Sequence, residues 1–145
     1  MNEFKRAIIS GLEEYLMLLN KSISDLSLSE LRWQPSLESN SIIYLLWHMG
    51  RVEDNWINQV IGGKESVWMR NGWNKKFPFD EKDYGKGYGK QDLANLPHMD
   101  KDQLMNFYHE QRIESLKIIE SLSEEDLAKK YKRLSGELKT GYWIL

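Results

Sequence analysis

The stretch LLWHMGRVEDNW, residues 45–56, carries the pattern that decides the fold. Its apolar residues recur every three or four positions, which is the spacing of one face of an α-helix. They are Leu45, Leu46, Met49, Val52 and Trp56. His48 lies inside this apolar stripe, where a leucine would pack more simply. The stretch therefore predicts an amphipathic helix with one chemically competent side chain on its apolar side.

This helix has sequence signals at both ends. Ser39, Asn40 or Ser41 can cap its first turn, because their side-chain oxygens accept hydrogen bonds from the free backbone N–H groups of a helix start. Gly62 and Gly63 supply a stop in the left-handed conformation. We therefore expect a helix that fills the interval between these signals.

Two more long helices are expected around it. Apolar residues step at three or four positions from Phe4 to Ile23, and they predict a first amphipathic helix. Asp100 can cap another long helix with a wide apolar face, KDQLMNFYHEQRIESLKIIESL, residues 101–122. Ser27 with Glu30, and Ser123 with its acidic first turn, predict short helices. These elements predict an all-α bundle, a single domain over residues 1–145, with no strand.

The interval from residue 62 to residue 99 lacks helical periodicity. Glycine, asparagine, lysine and aspartate mix there with six aromatic residues, which are Trp68, Trp73, Phe77, Phe79, Tyr84 and Tyr88. A connection of this length inside a compact domain is usually either functional or mobile. The pattern predicts a long aromatic loop.

The last residues, SGELKTGYWIL (135–145), predict a turn followed by the opening of an apolar helix. Chain termini are usually polar and loosely held, so we expect a fourth helix that is cut short at Leu145. Apolar faces of the other three helices would then lack a cover. On that basis we expect self-association, in its simplest form as a twofold homodimer.

Composition excludes several classes of function. The 145 residues include 20 basic and 22 acidic side chains, and a net charge of -2 favours neither a nucleic-acid partner nor a membrane partner. Glu13 and Glu14 interrupt the N-terminal apolar run before it resembles a signal peptide, so we expect a soluble cytoplasmic protein. Because the chain has no cysteine, a metal would need histidine, carboxylate or carbonyl ligands.

The loop sequence YGKGYGK, residues 84–90, has the glycines and lysines of a phosphate-binding loop but not their register. Tyr84 stands where a P-loop needs its first glycine, and Gln91 stands where it needs a hydroxyl. Stacking of single-stranded nucleic acid on the tyrosines is disfavoured too, because neighbouring acidic residues cancel the charge of Lys86 and Lys90. A turn-rich loop is the better interpretation.

The three histidines are the candidate bases or ligands. His98 follows Pro97 and is expected to be exposed. His109 borders the apolar face of the third long helix, which favours a half-buried, hydrogen-bonded residue and leaves a site-lining role as the alternative. His48 by itself is more often a packed core residue than a ligand. No HxxxH or ExxH pair supports it anywhere in the chain.

Two segments resemble the DinB superfamily of predicted metal-dependent proteins. They are LRWQPSLESNSIIYLLWHMGRVEDNW, residues 31–56, with its W-x-P turn and S-I-x-x-L-x-W-H core, and FDEKDYGKGYGKQDL, residues 79–93. The resemblance implies an up-down four-helix bundle, frequently dimeric. It also implies a divalent metal, zinc or nickel, held by a histidine at the position of His48 and by an HxxxH pair on the fourth helix. That pair would begin beyond TGYWIL, residues 140–145, so the fourth helix is cut short or this member has lost its metal.

The same resemblance implies a range of activities. Characterised relatives include transferases and isomerases that use bacillithiol, mycothiol or similar low-molecular-weight thiols. We therefore expect a metal-dependent enzyme that acts on small molecules, with thiol S-transfer ahead of hydrolysis. The rival expectation is a metal-free, non-catalytic bundle, a binding or dimeric stress-response protein in which His48 is a packed relic.

Overall fold

The structure is a computed structural model. It describes residues 2–133 and 135–145. As predicted, the chain is mostly helical. The elements, in chain order, are α1 (Glu3–Ile23), α2 (Leu28–Arg32), α3 (Ile42–Glu53), a π-helical segment (Asp54–Ile61), α4 (Val67–Arg70), a 3₁₀ turn (Trp73–Lys75), α5 (Lys90–Ala94), α6 (Lys101–Ser121), α7 (Glu124–Ala128), β1 (Lys130–Lys132), β2 (Leu138–Thr140) and α8 (Gly141–Ile144).

Side-chain caps begin the helices where the sequence predicts them. Ser41 accepts the backbone N–H of Tyr44 at the start of α3, and Asp100 accepts that of Gln103 at the start of α6. The capping boxes expected at Ser27 and Ser123 are both present. At the end of the second long helix the left-handed residue is Gly63, with φ 63°. These predictions are confirmed.

Helices α3 and α6 form the centre of the fold. A Cβ on Gly50 would lie 3.1 Å from ring atoms of both Phe107 and Tyr108, so glycine lets the two helices approach closely. Trp47 and Leu104 are fully buried at the same contact. The large aromatic side chains of α6 therefore occupy the space that a larger residue at position 50 would need.

Helices α1 and α6 run antiparallel, and a lysine near the start of each caps the end of the other. The Lys5 ammonium donates to the carbonyl oxygens of Glu120 (2.9 Å) and Leu122 (2.6 Å) at the end of α6. The Lys101 ammonium donates to carbonyls of Ile23, Ser24 and Leu26 after the last turn of α1. Cations are favourable at helix C-termini, where carbonyl groups lack partners.

The interval 62–99, predicted as a long aromatic loop, is packed against the helices and contains the short helices α4 and α5 and a 3₁₀ turn. Trp68, Trp73 and Phe77 are buried, and the Trp68 and Phe107 rings meet edge to face with centroids 5.0 Å apart. The buried Asp54 carboxylate accepts the backbone N–H groups of Val67 and Trp68, each at 2.8 Å. The segment is thereby fixed to the end of α3.

The expectation of no strand is wrong in one place. Strands β1 and β2 form a two-stranded antiparallel sheet in which Tyr131 pairs with Lys139. The sheet leads into α8, a single turn in which the Thr140 hydroxyl accepts the backbone N–H of Trp143. Within residues 2–133 and 135–145, no helix is both long enough and apolar enough to cross a membrane.

Candidate functional site

His48 lies on α3, half-buried, with its ring stacked on Tyr44. The two ring centroids are 5.4 Å apart and the planes differ by 6°. Nδ1 of His48 forms a hydrogen bond with the backbone carbonyl of Tyr84. Since a carbonyl oxygen only accepts, Nδ1 carries the proton, and in the neutral ring Nε2 keeps its lone pair. The imidazole is thus oriented with Nε2 available to bind a metal or accept a proton.

Gly85 allows the backbone at Tyr84 to approach His48 closely. Its φ is 83°, in the left-handed region, and a Cβ there would lie 2.8 Å from Cζ3 of Trp47 and 3.1 Å from Nδ1 of His48. The carbonyl of Gly85 accepts the Tyr44 hydroxyl at 2.8 Å. A glycine at this position therefore places two consecutive carbonyls, those of Tyr84 and Gly85, on the stacked pair of rings.

Asp83 fixes the shape of the same turn. One of its carboxylate oxygens accepts the backbone N–H of Gly85 at 2.8 Å, and the other accepts the Tyr88 hydroxyl. Burial first, and the nearby Asp83 carboxylate second, raise the pKa of Tyr88 and also that of Tyr44. Both phenols therefore stay protonated and act as donors at neutral pH.

Arg51 binds backbone carbonyl groups of the same turn. Its guanidinium is buried against the Trp68 ring, 4.7 Å from the centroid, and donates to the carbonyls of Glu81 (3.1 Å) and Asp83 (3.2 Å). Burial lowers the pKa of Arg51 to about 10, while the charge of Asp54 opposes that change. The arginine stays charged at neutral pH, and it holds the turn over α3.

Two cavities meet at His48. The first, about 180 Å³ and here called the turn cavity, lies between the end of α3, the turn at Tyr84 and the β1–β2 connection. It is lined by His48, Val52, Asn55, Trp56, Val60, Tyr84, Lys86, Arg133 and Ser135. The second, about 340 Å³ and here called the apolar groove, lies between α1 and α3. It is lined by Ile8, Leu12, His48, Met49, Val52, Glu53, Trp56, Ile57, Tyr108, Ile144 and Leu145. His48, Val52 and Trp56 thus line both cavities, and the basic side chains lie only in the turn cavity.

The buried face of α3 differs from the face that the sequence predicts. Two residues of the stripe that the sequence places in the core, Leu45 and Met49, are 36% and 40% exposed. The buried face is turned away from them and carries Tyr44, Trp47 and Arg51. His48 therefore belongs to the boundary between the core and the groove.

The other two histidines, His98 and His109, do not line either cavity at His48. His98 is exposed, as expected. His109 was expected to be half-buried, yet it is exposed, and its Nε2 lies 3.1 Å from Oδ1 of Asn20 on α1. It lines neither the turn cavity nor the apolar groove. The structure therefore leaves His48 without a second histidine nearby.

The donor set around His48 offers one nitrogen for a metal ion. Among residues 2–133 and 135–145 there is no group of three histidine, aspartate or glutamate side chains that could hold one. Glu53 lines the apolar groove with His48, but its two carboxylate oxygens are bound by Arg112. A catalytic zinc usually has three protein ligands. The described residues therefore do not fit a complete metal centre by themselves.

The sequence predicts His48 as a candidate site residue but does not predict the residues that contact it. Tyr84 and Gly85 belong to the glycine-containing loop whose register does not fit a phosphate-binding motif. The glycines serve a close backbone approach to an imidazole instead. Lys86 lies in the same loop and Arg133 lies in no recognisable motif, and both line the turn cavity. The one sequence signal for this close contact was Gly85, which lies between Tyr84 and Tyr88.

Comparison with known proteins identifies a family. The family model described as the DinB superfamily matches residues 12–145. No curated protein matches the chain. A crystal structure described as a conserved protein from Enterococcus faecalis is similar to this structure, with a TM-score of 0.84 and 17% sequence identity. The match covers 100% of this chain and 85% of that chain. At this identity the likeness shows a shared fold.

Proposed function

Because the chain belongs to the DinB superfamily, we propose that it is a cytoplasmic enzyme that acts on small molecules at His48. The reaction we propose is S-transfer from a low-molecular-weight thiol to an electrophile, with zinc or nickel as the divalent ion. The supporting observation is the hydrogen bond from Nδ1 of His48 to the Tyr84 carbonyl. Histidines that bind metals characteristically donate their other ring N–H to a carbonyl or carboxylate, which fixes the ring orientation.

Thiol transfer suits a chain that contains no cysteine, because the sulfur nucleophile then has to come from a co-substrate. In this reaction the thiol sulfur forms a bond to an electrophilic carbon, and the leaving group departs with the bonding electron pair. The thiol proton passes to Nε2 of His48 or to solvent. The apolar groove suits the carbon skeleton of the electrophile, and the turn cavity suits a polar co-substrate. Hydrolysis, with water in place of the thiol, is the second reaction class.

The metal part of the proposal requires ligands besides His48. Solvent, substrate or another polypeptide segment would have to supply them. The rival function, a metal-free binding protein or dimeric stress-response protein, is favoured by one observation. That observation is the lack of a three-ligand cluster within the described ranges 2–133 and 135–145.

Two measurements test the proposal. Zn²⁺ or Ni²⁺ is titrated calorimetrically into the wild type, His48→Ala and His98→Ala, the last being an exposed histidine that serves as the matched control. We expect His48→Ala to lose binding and His98→Ala to keep it. Equal binding by all three proteins, or by none, would overturn metal binding at His48. Thiol consumption with an alkylating electrophile should likewise depend on His48, and unchanged turnover in His48→Ala would overturn S-transfer at this site.

A further inference from the structure

The turn cavity carries an excess of positive charge on its walls. Lys86 and Arg133 line it, together with the imidazole of His48. No aspartate or glutamate is among the described residues that line it. A concave surface with one sign of charge and partly apolar walls concentrates ligands of the opposite sign. The charge pattern therefore points to an anionic group as the ligand.

Arg133 is held in one orientation, and part of its hydrogen-bonding capacity is unused. The group lies between two indole rings, 4.4 Å from the centroid of Trp56 and 4.8 Å from that of Trp143. Nη1 donates to Glu137 at 3.0 Å. Nε is buried and has no acceptor among the described residues. Stacking and the Glu137 bond therefore leave Nε and Nη2 without a hydrogen-bond acceptor among the described residues.

The corresponding two nitrogens of another arginine bind a carboxylate elsewhere in this protein. Arg112 uses Nε and Nη2 to hold the two oxygens of Glu53, at 2.6 and 2.7 Å. This two-point geometry matches carboxylate and phosphate oxygens. Glu137 does not neutralise Arg133 fully, because Lys139 also pairs with Glu137, at 2.7 Å. The single negative charge of Glu137 is therefore shared between Arg133 and Lys139.

Other groups on the cavity wall can complete the binding. Lys86 is exposed and makes no hydrogen bond or ion pair with the described residues, so its ammonium is available to a ligand. Asn55 and Ser135 add an amide and a hydroxyl. An anion held by Arg133 and Lys86 would lie in the same cavity as His48.

We propose that the turn cavity is the subsite for an anionic group, a carboxylate or a phosphate, of the small-molecule substrate, bound by Arg133 and Lys86 beside His48. This inference rests on the proposed function and narrows it to anionic substrates or co-substrates. The charged group anchors the molecule, and the remainder extends past His48 toward the apolar groove.

The test is a calorimetric titration of inorganic phosphate and, separately, of acetate, at constant ionic strength and without metal or thiol. The variants are Arg133→Gln and Lys86→Gln, with Lys82→Gln as the control, because Lys82 lies on the same loop but does not line the cavity. We expect saturable binding of at least one ion. Each of the first two variants should weaken it roughly ten-fold or more, since each removes a charge-assisted contact. Lys82→Gln should leave it unchanged.

The outcomes separate the two proposals. Binding of phosphate alone assigns a phosphate group, and binding of acetate with similar affinity assigns a carboxylate. No saturable binding of either ion, or an equal loss in Lys82→Gln, would overturn the subsite. Lys86→Gln guards against misfolding because Lys86 is exposed, whereas Arg133→Gln also removes a hydrogen bond to Glu137 between β1 and β2. Retained phosphate binding in a protein that binds no Zn²⁺ would overturn the proposed metal site and leave the anion subsite intact.

Discussion

Glu53 on α3 and Arg112 on α6 bind each other at two points inside the protein. Nε of Arg112 lies 2.6 Å from Oε1 of Glu53, Nη2 lies 2.7 Å from Oε2, and both side chains are largely buried. Arg112 also donates to the carbonyl of Leu12 on α1. One arginine thus connects the three long helices, and it withdraws from metal binding the carboxylate that lines the apolar groove with His48.

We predict that Glu53→Ala destabilises the protein by about 3–5 kcal/mol, because it leaves the Arg112 charge buried without a partner. Urea unfolding measures the change. Glu114→Ala is the control: its ion pairs with Lys117 and Arg70 are more exposed, so the loss should stay within about 1 kcal/mol. The double variant Glu53→Ala/Arg112→Ala should lose less stability than the two single variants together. Strictly additive losses would show that the pair is not coupled.

A second prediction concerns Gly85. Gly85→Ala should cost about 1–2 kcal/mol for the left-handed backbone and a further ~1–3 kcal/mol for the clash with Trp47. Gly87→Ala is the matched control, since its φ is 75° but a Cβ there meets nothing within 4 Å. Thermal or urea unfolding gives the stabilities. Nitrogen-15 NMR of His48 should show the Nδ1-protonated tautomer in the control and a changed tautomer balance in Gly85→Ala. Identical spectra would mean that the turn does not set the tautomer.

Asp54 provides a third prediction. Asp54→Ala removes the acceptor of two buried N–H groups, those of Val67 and Trp68, and should cost about 2–4 kcal/mol. Asp80→Ala is the control, because Asp80 also accepts a backbone N–H, from Lys82, but is exposed. Hydrogen exchange should show faster exchange at Val67 and Trp68 in the first variant. Protection equal to the wild type would contradict the anchoring role of Asp54.

The fourth prediction is the homodimer. Tyr15 follows Ile8 and Leu12 on one face of α1 and is 69% exposed, and Leu45 is exposed on α3. We predict concentration-dependent self-association through this side, which Tyr15→Lys and Leu45→Lys should each weaken. Met17→Lys is the control, because Met17 is 62% exposed but lies on another face of α1. Sedimentation velocity at micromolar concentration measures the association. A wild type that sediments as a monomer would exclude it.

The sequence predicted the helices well where local signals exist. Spacing and caps located α3 and α6, since Ser41 and Asp100 act within a few residues of their own position. The phase of α3 was wrong because hydropathy does not assign Arg51 to a core, whereas here carbonyls and an indole ring satisfy its charge. The β1–β2 sheet was missed because strands of three residues are too short for alternation to be visible.

For the candidate site, the sequence predicts His48 as a candidate residue but does not predict the residues around it. His48 stood out because an imidazole interrupts an apolar stripe. Its hydrogen-bond partner, Tyr84, lies 36 positions further along the chain. Contacts of that kind depend on tertiary packing, and no local spacing rule encodes them. The cavity residue Arg133 joins from a third part of the chain for the same reason.

The lysines at the starts of α1 and α6 make the two helices dependent on each other at both ends. If the last turn of α6 unwinds, the buried ammonium of Lys5 loses its acceptors and the first turn of α1 is weakened with it. Lys101 imposes the same condition at the opposite end. Terminal fraying, which is ordinarily a local and independent event, therefore becomes a shared opening of two helices.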